Sequence, residues 1–154
     1  MTFLNGTATL GTGTLSGGKA TYTTSTLAKG SYNITASYGG ATYFTASTSA
    51  VLTQTVGKAS TSTTLVSSRN PSNPGQKVTF TATVTPAYGG NPTGTVTFKS
   101  GTTVLGTGTV NASTHEATFS TTTLPAGTSS IRASYGGNSD YTVSTSAVLK
   151  QVVK

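Results

Sequence analysis

The chain has 154 residues and a formal net charge of +7, from nine Lys and Arg against two Asp and Glu, with one His and no Cys. Absence of Cys removes a disulfide framework, a thiolate zinc site and thiol chemistry, and one His with two acids falls short of the convergent ionisable groups that most acid/base and metal sites use. Thr (37) and Ser (20) dominate while charged residues make up 7%, where about 25% is usual; stiff Thr and backbone-competing Ser disfavour helix, so an all-β fold is expected.

In chain order, Met1-Thr2-Phe3-Leu4-Asn5-Gly6 shows neither the basic nor the apolar region of a leader, and no apolar run approaches the roughly 18 residues of a membrane span. Internal repetition follows at once. Leu10-Gly11-Thr12-Gly13-Thr14 returns as Leu105-Gly106-Thr107-Gly108-Thr109, an offset of 95. From residue 19 the offset is 97: Ala36-Ser37-Tyr38-Gly39-Gly40 returns as Ala133-Ser134-Tyr135-Gly136-Gly137, and Ser47-Thr48-Ser49-Ala50-Val51-Leu52 as Ser144-Thr145-Ser146-Ala147-Val148-Leu149. One unit is therefore about 95 residues, the size of a single sandwich domain. Met1 aligns with Val96, inside a strand, so 1–57 is expected to be a partial unit without its first two strands, and 58–154 a whole one.

Within 58–154, Lys77-Val78-Thr79-Phe80-Thr81-Ala82-Thr83-Val84-Thr85 alternates strictly and predicts a half-buried strand with Val78, Phe80, Ala82 and Val84 inward. The same period gives inward sets Val96 and Phe98, Ala117 and Phe119, Ile131, Ala133 and Tyr135, and Leu149, Gln151 and Val153. Turns fall at Asn70-Pro71-Ser72-Asn73-Pro74-Gly75, Tyr88-Gly89-Gly90-Asn91-Pro92, Leu124-Pro125-Ala126-Gly127 and Tyr135-Gly136-Gly137-Asn138. Gly11-Thr12-Gly13 and Gly106-Thr107-Gly108 lack the third Gly, helix and Lys of a nucleotide loop and read as strand bends. No helical stripe is present, and several short strands between regular turns indicate an antiparallel β-sandwich.

The run from Ser67-Ser68-Arg69-Asn70-Pro71 through Ser72-Asn73-Pro74-Gly75-Gln76 to Lys77-Val78-Thr79-Phe80-Thr81-Ala82-Thr83-Val84 resembles the opening strands of bacterial Ig-like domain repeats of the group three type. Gly94-Thr95-Val96-Thr97-Phe98 and Ala133-Ser134-Tyr135-Gly136-Gly137-Asn138-Ser139-Asp140-Tyr141 resemble that family's middle and closing strands. A departure is Asn138, and Ala41 in the first unit, where relatives often carry Asp. The resemblance implies an all-β, immunoglobulin-like antiparallel β-sandwich in tandem repeats. It also implies a non-catalytic spacer or adhesive stalk in secreted or surface-attached bacterial proteins, hence an extracellular or cell-surface location with neighbouring Ig-like repeats as partners.

Candidate chemistry is sparse. His115-Glu116 is the one place where a His and an acid adjoin, but strand alternation would point them to opposite faces, and the aligned residues are Gly18 and Lys19. Calcium needs six to eight oxygens with several carboxylates, and Glu116 and Asp140 are the only acids. A Lys–Asn isopeptide link needs a buried acid beside the pair, whereas Glu116 is expected outward and Asp140 in a turn. No catalytic residue, cofactor or metal is expected. The cations Lys19, Lys29, Lys58, Arg69, Lys77, Lys99, Arg132, Lys150 and Lys154 are scattered singly in sequence, so no specific nucleic-acid site is read, and weak attachment to cell-wall or host polysaccharide is the remaining polyanion reading. Tyr38 and Tyr135 continue inward faces and read as core. Tyr88, Asn91, Asn138 and Tyr141 are the candidate ligand contacts of an alternative adhesin reading. Finally, 1–57 is expected to leave Phe3, Tyr22, Ile34 and Leu52 on an open inward face, weakly folded beside a stable 58–154 unless a neighbouring chain donates strands, as in a strand-exchanging fibre.

Overall fold

Alternating Thr and apolar residues give the chain thirteen strands and no helix in a computed structural model that describes residues 1–154. The strands fall into two compact units, Met1–Gly57 and Lys58–Lys154. The first holds β1 (Thr2–Asn5), β2 (Ala8–Thr12), β3 (Gly30–Tyr38), β4 (Ser47–Thr48) and β5 (Leu52–Val56). The second holds β6 (Thr61–Ser67), β7 (Val78–Pro86), β8 (Thr95–Ser100), β9 (Thr103–Thr109), β10 (Glu116–Thr121), β11 (Gly127–Tyr135), β12 (Ser144–Thr145) and β13 (Leu149–Val153).

The second unit is an antiparallel β-sandwich. One sheet runs β10-β7-β6; the other runs β9-β8-β11, with β12 and β13 both paired to β11. The period-two pattern of β7 places Val78, Phe80, Ala82 and Val84 at 1% exposure or less, facing Val96, Phe98, Ile131, Ala133 and Tyr135 from the other sheet. Aliphatic and aromatic burial of this kind contributes about 1.5–3 kcal/mol for each fully buried side chain, so this layer carries most of the unit's stability. Gln151 is buried among these apolar residues, and its amide is satisfied: Oε1 accepts from Ser67 Oγ at 2.7 Å and Nε2 donates to Arg69 O at 2.9 Å.

The first unit is a single sheet, β2-β1-β3, with β4 and β5 paired to β3. Its strands correspond to β8, β9, β11, β12 and β13, and no residue of 1–57 is buried. Residues 19–24, which align with β10, form no strand. The reason is tertiary: β10 is held by β7 alone, from Glu116 opposite Thr83 to Thr121 opposite Val78, and the first unit has no strand in that place.

The Gly-x-Gly pairs are not simple bends. The first glycine of each pair lies in β2 or β9 beside a register shift, and a Cβ on Gly106 would collide with the Phe119 ring, as one on Gly11 would with that of Tyr22. Glycine there lets an aromatic ring lie flat on the strand, giving the stacked pairs Phe98–Phe119 and Phe3–Tyr22.

Candidate functional site

The four candidate contacts of the second unit gather at one end of the sandwich, because the β7–β8 and β11–β12 connections both emerge there. Tyr88 is 82% exposed beside the exposed Asn91, whose Oδ1 lies 3.4 Å from His115 Nε2. Tyr141 instead packs on the core, and its hydroxyl lies 3.4 Å from Gly89 O. Asn138 is fully occupied. Its Oδ1 accepts from the amides of Asp140 and Tyr141 at 2.8 and 2.9 Å, and its Nδ2 donates to Thr93 O and Oγ1 at 3.2 and 3.1 Å. Asn138 and Tyr141 thus build the loop, while Tyr88 stands exposed and Asn91, exposed, meets only His115 through its side-chain oxygen. Beneath them Tyr135 donates to Thr93 O at 2.6 Å. Burial, with a smaller contribution from Tyr141, pushes its phenol pKa above the ordinary value.

His115 departs from the expected alternation. It precedes β10 in a turn, at φ 60°, where aligned Gly18 has φ 78°. The turn is built by Asn111, whose Oδ1 accepts from the amides of Ser113 and Thr114 at 2.8 and 3.2 Å. Glu116 is exposed, and the Asp140 carboxylate accepts from Ser139 Oγ at 2.9 Å. Each of the three has its own local surroundings, and no three His, Asp or Glu residues converge.

Strand register brings together cations that stand apart in sequence. Arg132 lies directly opposite Lys99 across β11 and β8, and Lys150 stands opposite Ser130, whose hydroxyl accepts from its Nζ at 2.7 Å. Phe98, Ile131, Ala133 and Gln151 point into the core, so Lys99, Arg132 and Lys150 share the opposite, solvent face. The cations are therefore not all scattered, and pairing across strands was the signal that a linear reading missed.

The other notable feature is the sandwich edge. Thr61 Oγ1 donates to Thr142 O at 2.9 Å and lies 2.8 Å from Ser144 Oγ, and Thr63 Oγ1 meets Ser144 Oγ at 2.7 Å. Asn70 bonds Lys150 O and the Val152 amide at 2.7 and 2.9 Å. Two parallel backbone bridges accompany them. The Ala59 amide donates to Asp140 O and Thr142 N to Ala59 O; Ser72 N donates to Val152 O at 3.0 Å and Lys154 N to Ser72 O at 3.0 Å.

A sequence profile of the bacterial Ig-like domain (group 3) matches residues 1–57 and 63–154. The chain belongs to that family. Membership accords with the sandwich topology and makes the chain a structural module of Ig-like type. No curated protein matches the sequence. Among solved structures, fibronectin(III)-like modules of CbhA from Clostridium thermocellum align over 99% of this chain and 77% of that one, at 16% identity and a TM-score of 0.40.

Proposed function

We propose that this Ig-like chain is a non-catalytic, load-bearing spacer of a bacterial cell-surface or secreted repeat protein, serving as part of an adhesive stalk. The observation that carries the reading is the pair of parallel bridges at the edge of the second unit. Residues 59 and 72 belong to its leading segment and residues 140–142 and 152–154 to its closing one. Tension between Lys58 and Lys154 pulls parallel neighbours in opposite directions, so their hydrogen bonds are loaded together in shear rather than opened one by one. Hydroxyl and amide bonds from Thr61, Thr63 and Asn70 reinforce the same edge.

Pulling the full chain between Lys58 and Lys154 in a force spectrometer tests this. A single cooperative rupture is expected, and Lys154→Pro, which removes the amide bonded to Ser72 O, should lower the rupture force while costing only about 1 kcal/mol at equilibrium. Extension without a rupture peak, or an unchanged force in the variant, would contradict the proposal.

A second reading rests on the shared face of Lys99, Arg132 and Lys150, which suits weak binding to an acidic wall or host polysaccharide. Retention on an anionic polysaccharide column should fall with salt, and Lys99→Glu with Arg132→Glu should lower the eluting salt more than the same changes at Lys58 and Lys77. The end-loop adhesin reading reduces to Tyr88 and Asn91. A glycan titration that shifts their resonances would favour it.

A further inference from the structure

We propose that Asn111 is an acceptor for N-linked glycosylation, taking a sugar on its side-chain nitrogen from a glycosyl diphosphate donor through a transferase that reads Asn-x-Ser/Thr. That pattern, with any residue but Pro in the middle, occurs at Asn5-Gly6-Thr7, Asn33-Ile34-Thr35 and Asn111-Ala112-Ser113. Every other Asn is excluded: Asn70, Asn73 and Asn91 precede Pro, and Asn138 is followed by Ser139-Asp140. Ser and Thr are so abundant in this chain that the pattern alone selects nothing. Local geometry separates the three sites.

Asn111 lies in the turn between β9 and β10 and is exposed, as is Ser113. Its backbone is clamped at the base of that turn, where its N–H donates to Glu116 O at 2.8 Å and its carbonyl accepts from the His115 amide at 2.7 Å. The side-chain Oδ1 accepts from the amides of Ser113 and Thr114 at 2.8 and 3.2 Å. This Asx-turn folds the three residues back on themselves, so one enzyme pocket can hold the carboxamide together with the residue two places on. Both bonds go to the oxygen and none to Nδ2. They also stabilise the negative charge that builds on the carboxamide as Nδ2 gives up a proton. In the reaction Nδ2 attacks the anomeric carbon of the donor. The C–N bond forms as the C–O bond to the diphosphate breaks, the diphosphate leaves with that electron pair, and the amide proton passes to a base of the transferase.

The other two sites are held flat in a sheet. Asn5 is half-buried in β1, paired with Ala8 on one side and Ile34 on the other, and its Oδ1 is taken by the Asn33 amide at 3.0 Å. Asn33 is exposed but sits in β3 opposite Thr53, and Asn33-Ile34-Thr35 is extended between β1 and β5. Either would have to be lifted out of its ladder to fold round a reacting centre. The corresponding turn of the first unit, Ser16-Gly17-Gly18-Lys19, closes without any Asn, so this strand connection does not in general require one. The inference is independent of the load-bearing and polyanion readings.

The test incubates the folded full chain with UDP-glucose and a soluble N-glucosyltransferase that reads Asn-x-Ser/Thr, and maps added hexose by peptide mass spectrometry. Hexose is expected on Asn111, with Asn5 and Asn33 unmodified. Asn111→Asp keeps the oxygen that accepts the turn's hydrogen bonds and removes Nδ2, so transfer should be lost while the fold survives. Ser113→Ala keeps the backbone amide of the Asx-turn and removes only the hydroxyl that the transferase reads. It should abolish transfer without changing the thermal melt, and Ser113→Thr should retain transfer. Three results would overturn the proposal: no hexose on Asn111 in the folded chain, modification of Asn5 or Asn33 as fast as of Asn111, or undiminished transfer in Ser113→Ala.

Discussion

Two stretches of clearly related sequence end in different physical states. Ile131, Leu149 and Gln151 sit in or against a packed core with Gln151 fully buried, whereas aligned Ile34 is half-buried, Leu52 is 64% exposed and Gln54 is exposed. Both stretches form the same antiparallel sheet in the same register, Ile131 opposite Leu149 and Ile34 opposite Leu52. Local pattern therefore suffices for the sheet, and the second layer decides whether that sheet is the wall of a core or an open surface. Phe44 shows the same at the loop end: it is 70% exposed, while aligned Tyr141 packs beside a β7–β8 connection that the first unit does not have.

Paired substitutions sharpen this contrast. The largest difference is expected between Ile131→Ala, which should cost about 2–5 kcal/mol by opening a cavity, and Ile34→Ala, which should cost less than about 1 kcal/mol; chemical denaturation followed by exchange at each unit's amides separates the two. Equal costs would mean that the first unit's face is covered in solution. Next comes Gly106→Ala. Its new Cβ would collide with a Phe119 ring held between sheets, costing about 1–3 kcal/mol, whereas in Gly11→Ala the Tyr22 ring can swing over the open groove and the change should be smaller.

A pH dependence should belong to the second unit. Tyr135 has a raised pKa through burial, so the folded state holds the phenol proton more tightly than the unfolded state does. Its contribution is fully present below about pH 10, the unfolded value, and is lost as pH rises through the folded one. Urea midpoints should fall across that window, and Tyr135→Phe should flatten the fall while lowering the midpoint throughout by loss of the bond to Thr93 O. The smallest effect is expected at His115. Its left-handed conformation is one that aligned Gly18 adopts without penalty, so His115→Gly should raise stability by about 0.5 kcal/mol, the difference between relieved strain and glycine's greater chain entropy. A loss of more than about 1 kcal/mol in a thermal melt would show that its contact with Asn91 matters more than the backbone does.

Alternation made the core legible. Val78 through Val84, Val96 with Phe98, and Ile131 through Tyr135 are inward as the period-two pattern requires, and even Gln151 announced itself as a polar residue at an inward position. Three features were not legible, each for a physical reason. Residues 19–24 carry the sequence of a strand without its hydrogen-bonding neighbour, and strand formation is a property of the pair. His115 follows an Asn-built turn whose left-handed backbone overrides alternation. The Lys99–Arg132 juxtaposition depends on the register between strands more than thirty residues apart, which composition and spacing along one strand do not contain. At the loop end, Tyr88 and Asn91 stayed exposed as turn residues do, but Asn138 was drawn into its own Asx-turn and Tyr141 onto the core.

Amide hydrogen exchange across the full chain, with no added partner, is the most direct test that the second layer makes the difference. Amides of β10 and β11 are expected to open only with global unfolding of the second unit, while residues 19–24 exchange at near-unprotected rates and β3 through low-energy local opening. Equal protection of β3 and β11, or of 19–24 and 116–121, would contradict the account, since it would show the first sheet to be as fully closed as the second.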